Sequence, residues 1–228
     1  MPATSDLRPP AGSPGAPLAA VLDGALPPGL FARLARAVRA LGSERLRDTY
    51  QTDFWFDLGE PSCVAEEAAL ALAPRARAAI GGRVAGVEWW LSRMRTSDVQ
   101  VDFHQDRDEV LFGRTGRTVH PALGSVLFLN RCRGGLLAVT EAPADDANPA
   151  RAPLPFDGDL VRPWPNRLAL FPGGATHGVL DADGAVPHRR LTPPTPLRLA
   201  LVMNWWRRRP EGRPRFAEAG VYAALRDA

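Results

Sequence analysis

Four histidines occur in the chain: His104, His120, His177 and His188. His104 closes the alternating stretch Val99-Gln100-Val101-Asp102-Phe103-His104, and Asp106 follows in the spacing His104-x-Asp106. Alternate side chains of a strand point to opposite faces, so Gln100, Asp102, His104 and, if the strand continues, Asp106 share one face. An imidazole and a carboxylate placed this way can reach one cation. His177 opens a second β-like run after Pro172-Gly173-Gly174, where a glycine turn can aim it at the same pocket. Two histidines and one carboxylate that leave further positions open form the facial triad suited to non-haem Fe(II) oxygen chemistry. His120 and His188 read as incidental polar residues.

A second constellation lies in Pro196-Leu-Arg-Leu-Ala-Leu-Val-Met-Asn-Trp-Trp206. As a strand it puts Arg198, Ala200, Val202, Asn204 and Trp206 on one face. Leu197, Leu199, Leu201, Met203 and Trp205 take the other. A guanidinium in so apolar a run is costly unless it meets an anion. Its fork fits a carboxylate through two parallel hydrogen bonds. That carboxylate belongs either to a bound acid or to one of the chain's own side chains as a buried ion pair. Arg189 and Arg190 lie nearer to His177 in sequence, but the prolines around them disfavour a sheet ladder. Arg198 is therefore the better-fixed cation.

The elements that must position these residues follow from pattern. Residues 1–17, rich in Pro, Ala, Gly and Ser, read as a disordered leader, and residues 18–228 as a single domain. Ala19–Leu22 is a short strand. Pro27-Pro28 opens a helix carrying Leu30, Leu34, Val38 and Leu41 on one face, stopped by Gly42. Asp48–Leu58 is irregular. Ser62 caps a second helix over Val64–Ile80, which ends at Gly81-Gly82. Short β-like runs follow: Val87–Arg95, Val99–His104, Ala122–Asn130, Leu136–Thr140, Arg167–Phe171, His177–Leu180 and Leu197–Trp206. Two Pro-rich insertions, Ala142–Pro165 and Asp181–Pro196, read as lids or binding loops. Arg215–Asp227 reads as a terminal helix. Helices first and strands afterwards predict a mainly β (α+β) chain, a jelly roll flanked by N-terminal helices.

Composition narrows the function classes. A net charge of +3, carried by arginine without a single lysine, argues little for nucleic acid. No apolar run approaches the roughly 18 residues of a membrane span, and no secretory signal is visible. Cys63 and Cys132 have no metal-ligand spacing and read as free thiols in a reducing compartment, cytoplasmic by default.

His104-x-Asp106, His177-Gly-Val and Arg198-x-Ala-Leu together resemble the Fe(II)/2-oxoglutarate-dependent dioxygenases, and within them the prolyl-4-hydroxylase-like branch. Val126-Leu-Phe-Leu-Asn130, Gly134-Gly135-Leu-Leu and Asn166-Arg-Leu-Ala-Leu-Phe-Pro172 are similar to that branch's core strands in order and spacing. The resemblance implies a double-stranded β-helix, cupin-like, over about 86–206. It also implies that His104, Asp106 and His177 hold Fe(II) and that Arg198 binds the distal carboxylate of 2-oxoglutarate. O2 would be the oxidant, and decarboxylation to succinate would be coupled to hydroxylation, or a related oxidation, of a small molecule, amino acid or peptidyl residue. The custom loops favour small-molecule tailoring. Relatives often place a tyrosine near Met94 and Arg95, or at Phe128, to contact the co-substrate; here none stands there. A nucleic-acid dealkylase of the same superfamily is the alternative, disfavoured because those enzymes usually carry a second arginine at the position of Asn204. A non-catalytic jelly-roll binding module is the other, and it has no need of an intact triad. Oligomeric state stays open.

Overall fold

The computed structural model describes residues 17–44, 52–95, 103–144, 157–180 and 197–228. The chain opens with β1 (Ala20–Asp23) and α1 (Pro28–Ala40), continues through β2 (Phe54–Phe56) and α2 (Val64–Ile80), then β3 (Gly86–Arg95) and α3 (Glu109–Thr115). Six strands follow: β4 (Leu123–Phe128), β5 (Leu136–Thr140), β6 (Gly158–Val161), β7 (Arg167–Pro172), β8 (Thr176–Leu180) and β9 (Leu197–Trp206). A major sheet runs β1-β7-β4-β9-β3-β2 and a minor sheet β6-β5-β8, every pairing antiparallel. The minor sheet gains one further step at the isolated bridge between His104 and His177. The mainly β jelly roll with helices toward the N-terminus is what the sequence pattern predicts.

The two faces of the major sheet bury different company. Leu199, Leu201, Met203 and Trp205 of β9 pack with Val87, Trp89 and Leu91 of β3 against Leu34 and Val38 of α1 and Leu72 of α2. On the inner face, Ala200 and Val202 join Val126, Phe128, Ala169 and Phe171, with Leu137 and Val139 of the minor sheet opposite. Period-2 alternation in β9 therefore separates the helix-packed layer from the barrel interior. Burying these large side chains is the main source of stability, at roughly 1.5–3 kcal/mol each.

Several expectations need correction. Cys63, not Ser62, is the N-cap of α2; Ser62 instead donates from both its amide and its hydroxyl to Glu66 Oε2 at 2.7 Å. Asp48–Leu58 holds β2, a three-residue edge strand, with residues 45–51 outside the described residues. The first insertion contains β6, paired with β5, and α3 is a helix that the sequence pattern does not mark. The terminal helix is replaced by two 3-10 turns, Phe216–Glu218 and Ala223–Leu225. Tyr222 between them takes a left-handed backbone with φ of 56°. Phe216 and Tyr222 turn inward onto Phe54 there, and one continuous helix would not aim both. Residues 1–16, 96–102 and 181–196 lie outside the described residues, and with them most of the leader, most of the Val99–His104 run, the second insertion, His188, Arg189 and Arg190.

Candidate metal centre and anion anchor

His177 sits in β8, between Val139 of β5 on one side and His104 on the other. The amides of His104 and His177 each donate to the other's carbonyl, at 3.0 and 2.9 Å. This reciprocal pair sets the two imidazoles side by side, with ring centroids 4.5 Å apart. His177 is followed by Gly178, where a Cβ would lie 2.9 Å from the Phe103 ring, so glycine allows the close approach. His177 Nδ1 faces the Ala175 carbonyl at 3.1 Å. A carbonyl only accepts, so Nδ1 is the donor there and Nε2 is the nitrogen turned toward Asp106 and a ligand.

Asp106 follows the bridge on irregular backbone that does not continue as a strand. Three restraints hold the segment. Asp106's carbonyl meets His120 Nδ1 at 2.7 Å, the Asp108 amide donates to the Val119 carbonyl at 2.9 Å, and the Asp108 side chain caps α3 through the Leu111 amide at 3.1 Å. The Asp106 carboxylate then lies 3.3 Å from His104 Nε2 through Oδ1 and 3.4 Å from His177 Nε2 through Oδ2. Burial opposes its ionisation, but His177 and His104 beside it prevail and hold the carboxyl well below the usual carboxylate range. One ligand atom from each of His104, Asp106 and His177 lies within 4.8 Å of the other two. Adjacent ligands of an octahedral ion with bonds of about 2.1 Å stand about 3 Å apart, so two imidazoles and a carboxylate at these separations suit a divalent first-row metal.

Arg198 lies on the inner face of β9, only 2% exposed. Its Nε donates to the Gly135 carbonyl at 2.9 Å and one terminal nitrogen to Ser92 Oγ at 3.0 Å, and its guanidinium carbon stands 5.1 Å from the centre of the Phe128 ring. Gly135 has a left-handed φ of 72°, and a Cβ there would come within 2.6 Å of Arg198 Cδ, so no other residue leaves room for the arginine's stem. Among the described residues no carboxylate pairs with Arg198. Burial pushes the guanidinium down to about 10, with Cys132 offsetting part of the effect, and it remains charged at neutral pH. The arrangement can hold a divalent ion beside the minor sheet and, on the facing inner wall of the major sheet, an anion.

Solved structures share this arrangement of strands. A prolyl-4-hydroxylase from Pseudomonas putida aligns with a TM-score of 0.54 at 19% identity, over 84% of this chain and 94% of its own. A 2OG-Fe(II) oxygenase family protein from Burkholderia pseudomallei gives 0.52 at 14% identity, over 87% and 88%. HygX from Streptomyces hygroscopicus, in a structure with nickel and 2-oxoglutarate bound, gives 0.52 at 13% identity, over 83% of each chain. The fold is that of the Fe(II)/2-oxoglutarate oxygenases. No protein-family model matches the sequence, and no curated protein matches it.

Three further polar residues support the site: Ser92 and Asn204, to which the sequence assigns no role, and His120, which is not incidental. Ser92 holds Arg198, Asn204 Nδ2 donates to Asp106 Oδ2 at 3.0 Å, and His120 is bonded to the main chain of Asp106. Strand parity already sets Asn204 on the Arg198 face. The other two carry no local signal, since one acts across neighbouring strands and the other on a carbonyl.

Proposed function

We propose that this chain is a non-haem iron oxygenase that couples decarboxylation of 2-oxoglutarate to oxidation of a C–H bond. The substrate class we favour is a small molecule, amino acid or peptidyl residue. The observation that carries the reading is Arg198: a buried cation without an acid partner among the described residues, on the wall that also bears Asn204 and so meets Asp106. A cation desolvated in this way favours a ligand carboxylate over water.

In this reading His104 and His177 offer Nε2 and Asp106 offers its carboxylate to Fe(II). Arg198, fixed by Gly135 and Ser92, receives the distal carboxylate of 2-oxoglutarate and so orients its 2-oxo acid end toward the triad. Bound there, the iron supplies dioxygen activation, so that 2-oxoglutarate, O2 and R–H yield succinate, CO2 and R–OH. The Phe171 ring, with its centroid 5.0 Å from that of His177, and Phe128 under Arg198 keep water from the buried side of the site. The similar structures, a prolyl-4-hydroxylase and a protein holding nickel with 2-oxoglutarate, support this reading. Anaerobic addition of Fe(II) and then 2-oxoglutarate to the purified protein tests it. The expected result is a weak visible charge-transfer band that saturates at one equivalent of each. A band that survives His177→Ala, or no band at all, would remove the assignment.

A further inference from the structure

We propose that Asn204 is a positioning residue that restricts Asp106 to ligation through one oxygen; this rests on the metal reading above. Asn204 is 2% exposed on the inner face of β9. Its Nδ2 donates to Asp106 Oδ2 at 3.0 Å, while its Oδ1 is buried with no hydrogen-bond partner among the described residues. The amide's orientation follows from that neighbour. Turned over, it would set Oδ1 against a carboxylate oxygen and bury its NH2 donors without an acceptor. An apolar residue of the same size would avoid the orphaned carbonyl altogether, so the amide is retained for the one bond that it makes.

That bond selects between the two oxygens of Asp106. Oδ1 stands beside His104 Nε2 at 3.3 Å and Oδ2 beside His177 Nε2 at 3.4 Å, so an unrestrained carboxylate could turn about its Cβ–Cγ bond and present both to one ion. The Asn204 N–H occupies Oδ2 and fixes the carboxylate plane. His120, bonded to the Asp106 carbonyl at 2.7 Å, holds the backbone from which it turns. Ligation through Oδ1 alone then leaves three positions of a six-coordinate ion open, enough for a bidentate 2-oxo acid and one further small ligand. A bidentate Asp106 would remove one of them.

Mn(II) is the probe, because waters at its open positions accelerate the relaxation of solvent protons. The full chain is titrated with Mn(II) alone, alongside Asn204→Leu, which keeps the volume, Asn204→Ala, which serves if the leucine variant does not fold, and His104→Ala as the control that removes the site. Loss of the second contact to a ligand typically weakens metal binding about 10–100-fold, and that is the expected shift in either Asn204 variant. At saturating metal, relaxation enhancement should fall by about one third, one water of three being displaced by Oδ2. A change of affinity with unchanged relaxation overturns the inference and reduces Asn204 to packing. Wild-type behaviour in both variants also overturns it, yet leaves the metal site standing. Failure of the wild type to bind Mn(II) removes both.

Discussion

Arg93 on β3 and Arg198 on β9 are buried at neighbouring rungs of the same strand pair, where Arg93 lies opposite Leu199 and Met94 opposite Arg198. They face opposite sides of the major sheet, and neither pairs with an acid among the described residues. Arg93 points into the helix layer, where its two terminal nitrogens donate to the carbonyls of Gly42, at 3.2 Å, and Glu44. Its guanidinium carbon stands 5.5 Å from the centre of the Tyr222 ring. Arg198 points into the barrel with one carbonyl and one hydroxyl as acceptors, and its second terminal nitrogen makes no bond among the described residues. Burial of a charge is common to both. Each uses two of its three nitrogens; what differs is the one left over, Nε in Arg93 against a terminal nitrogen in Arg198, and the latter lies on the barrel face that also bears Asn204, where a ligand carboxylate can meet it.

The sharpest test of the contrast is the pair of alanine variants read through 2-oxoglutarate binding. Arg198→Ala should weaken anaerobic co-substrate binding by about 30- to 4000-fold, the range for loss of a buried charged partner. Arg93→Ala should stay within a few-fold of wild type by the same titration. Equal losses would erase the distinction. Stability of the co-substrate-free protein should rank the other way. Removing Arg93 strands two carbonyls and should cost about 1–3 kcal/mol in urea unfolding. Arg198→Met, which replaces a buried cation with no acid partner among the described residues by an apolar chain, should unfold no more easily than wild type.

A third buried charged residue, Glu88 of β3, adds a pH test. Glu88 faces the barrel side, accepting from Trp206 Nε1 at 3.0 Å and from Arg213, which Asp53 shares at 3.2 Å. Burial pushes its carboxyl up to about 7, Asp53 and Asp106 adding to the effect and Arg213 opposing it. An acid raised on folding binds its proton more tightly in the native state, so stability should fall as pH rises from the ordinary carboxylate range to about 7. Glu88→Gln should flatten that slope, by about 2 kcal/mol between pH 5 and 8 as read from urea midpoints. Parallel profiles would show that Glu88 is ionised throughout. The smallest expected effect is that of Ser92→Ala. Loss of its single bond to Arg198 should weaken 2-oxoglutarate binding by about 2- to 12-fold without touching the Arg93 layer.

Much of this architecture can be read from the chain before folding. The alternation of β9 separates Leu199, Leu201 and Met203 from Arg198, Ala200 and Val202, and the breaking turn before His177 announces a new strand. Short or edge elements escape that logic. β2 has three residues, β6 exposes most of its length, and α3 has seven residues with a single buried one, Leu111, so none carries a full hydrophobic period. The site splits in the same way. His104, Asp106, His177 and Arg198 are marked by residue type and neighbourhood. Asn204 and Ser92 act through contacts with residues far away in the sequence, and His120 binds a backbone carbonyl that no side-chain pattern can reveal.

The reciprocal bridge between His104 and His177 carries a consequence for folding itself. Strand pairing has a period of two, so a slip by one residue would set Phe103 or Gln105 opposite His177 and turn one imidazole out of the pocket. Only the in-register chain can offer both histidines to one ion. A metal that binds this chain and not its slipped forms would therefore draw the population to the correct pairing by RT ln(1 + [M]/Kd). The bridge joins segments far apart in the sequence, so such a metal would also close a long loop of chain, a staple that the protein acquires only once its strands are correctly aligned.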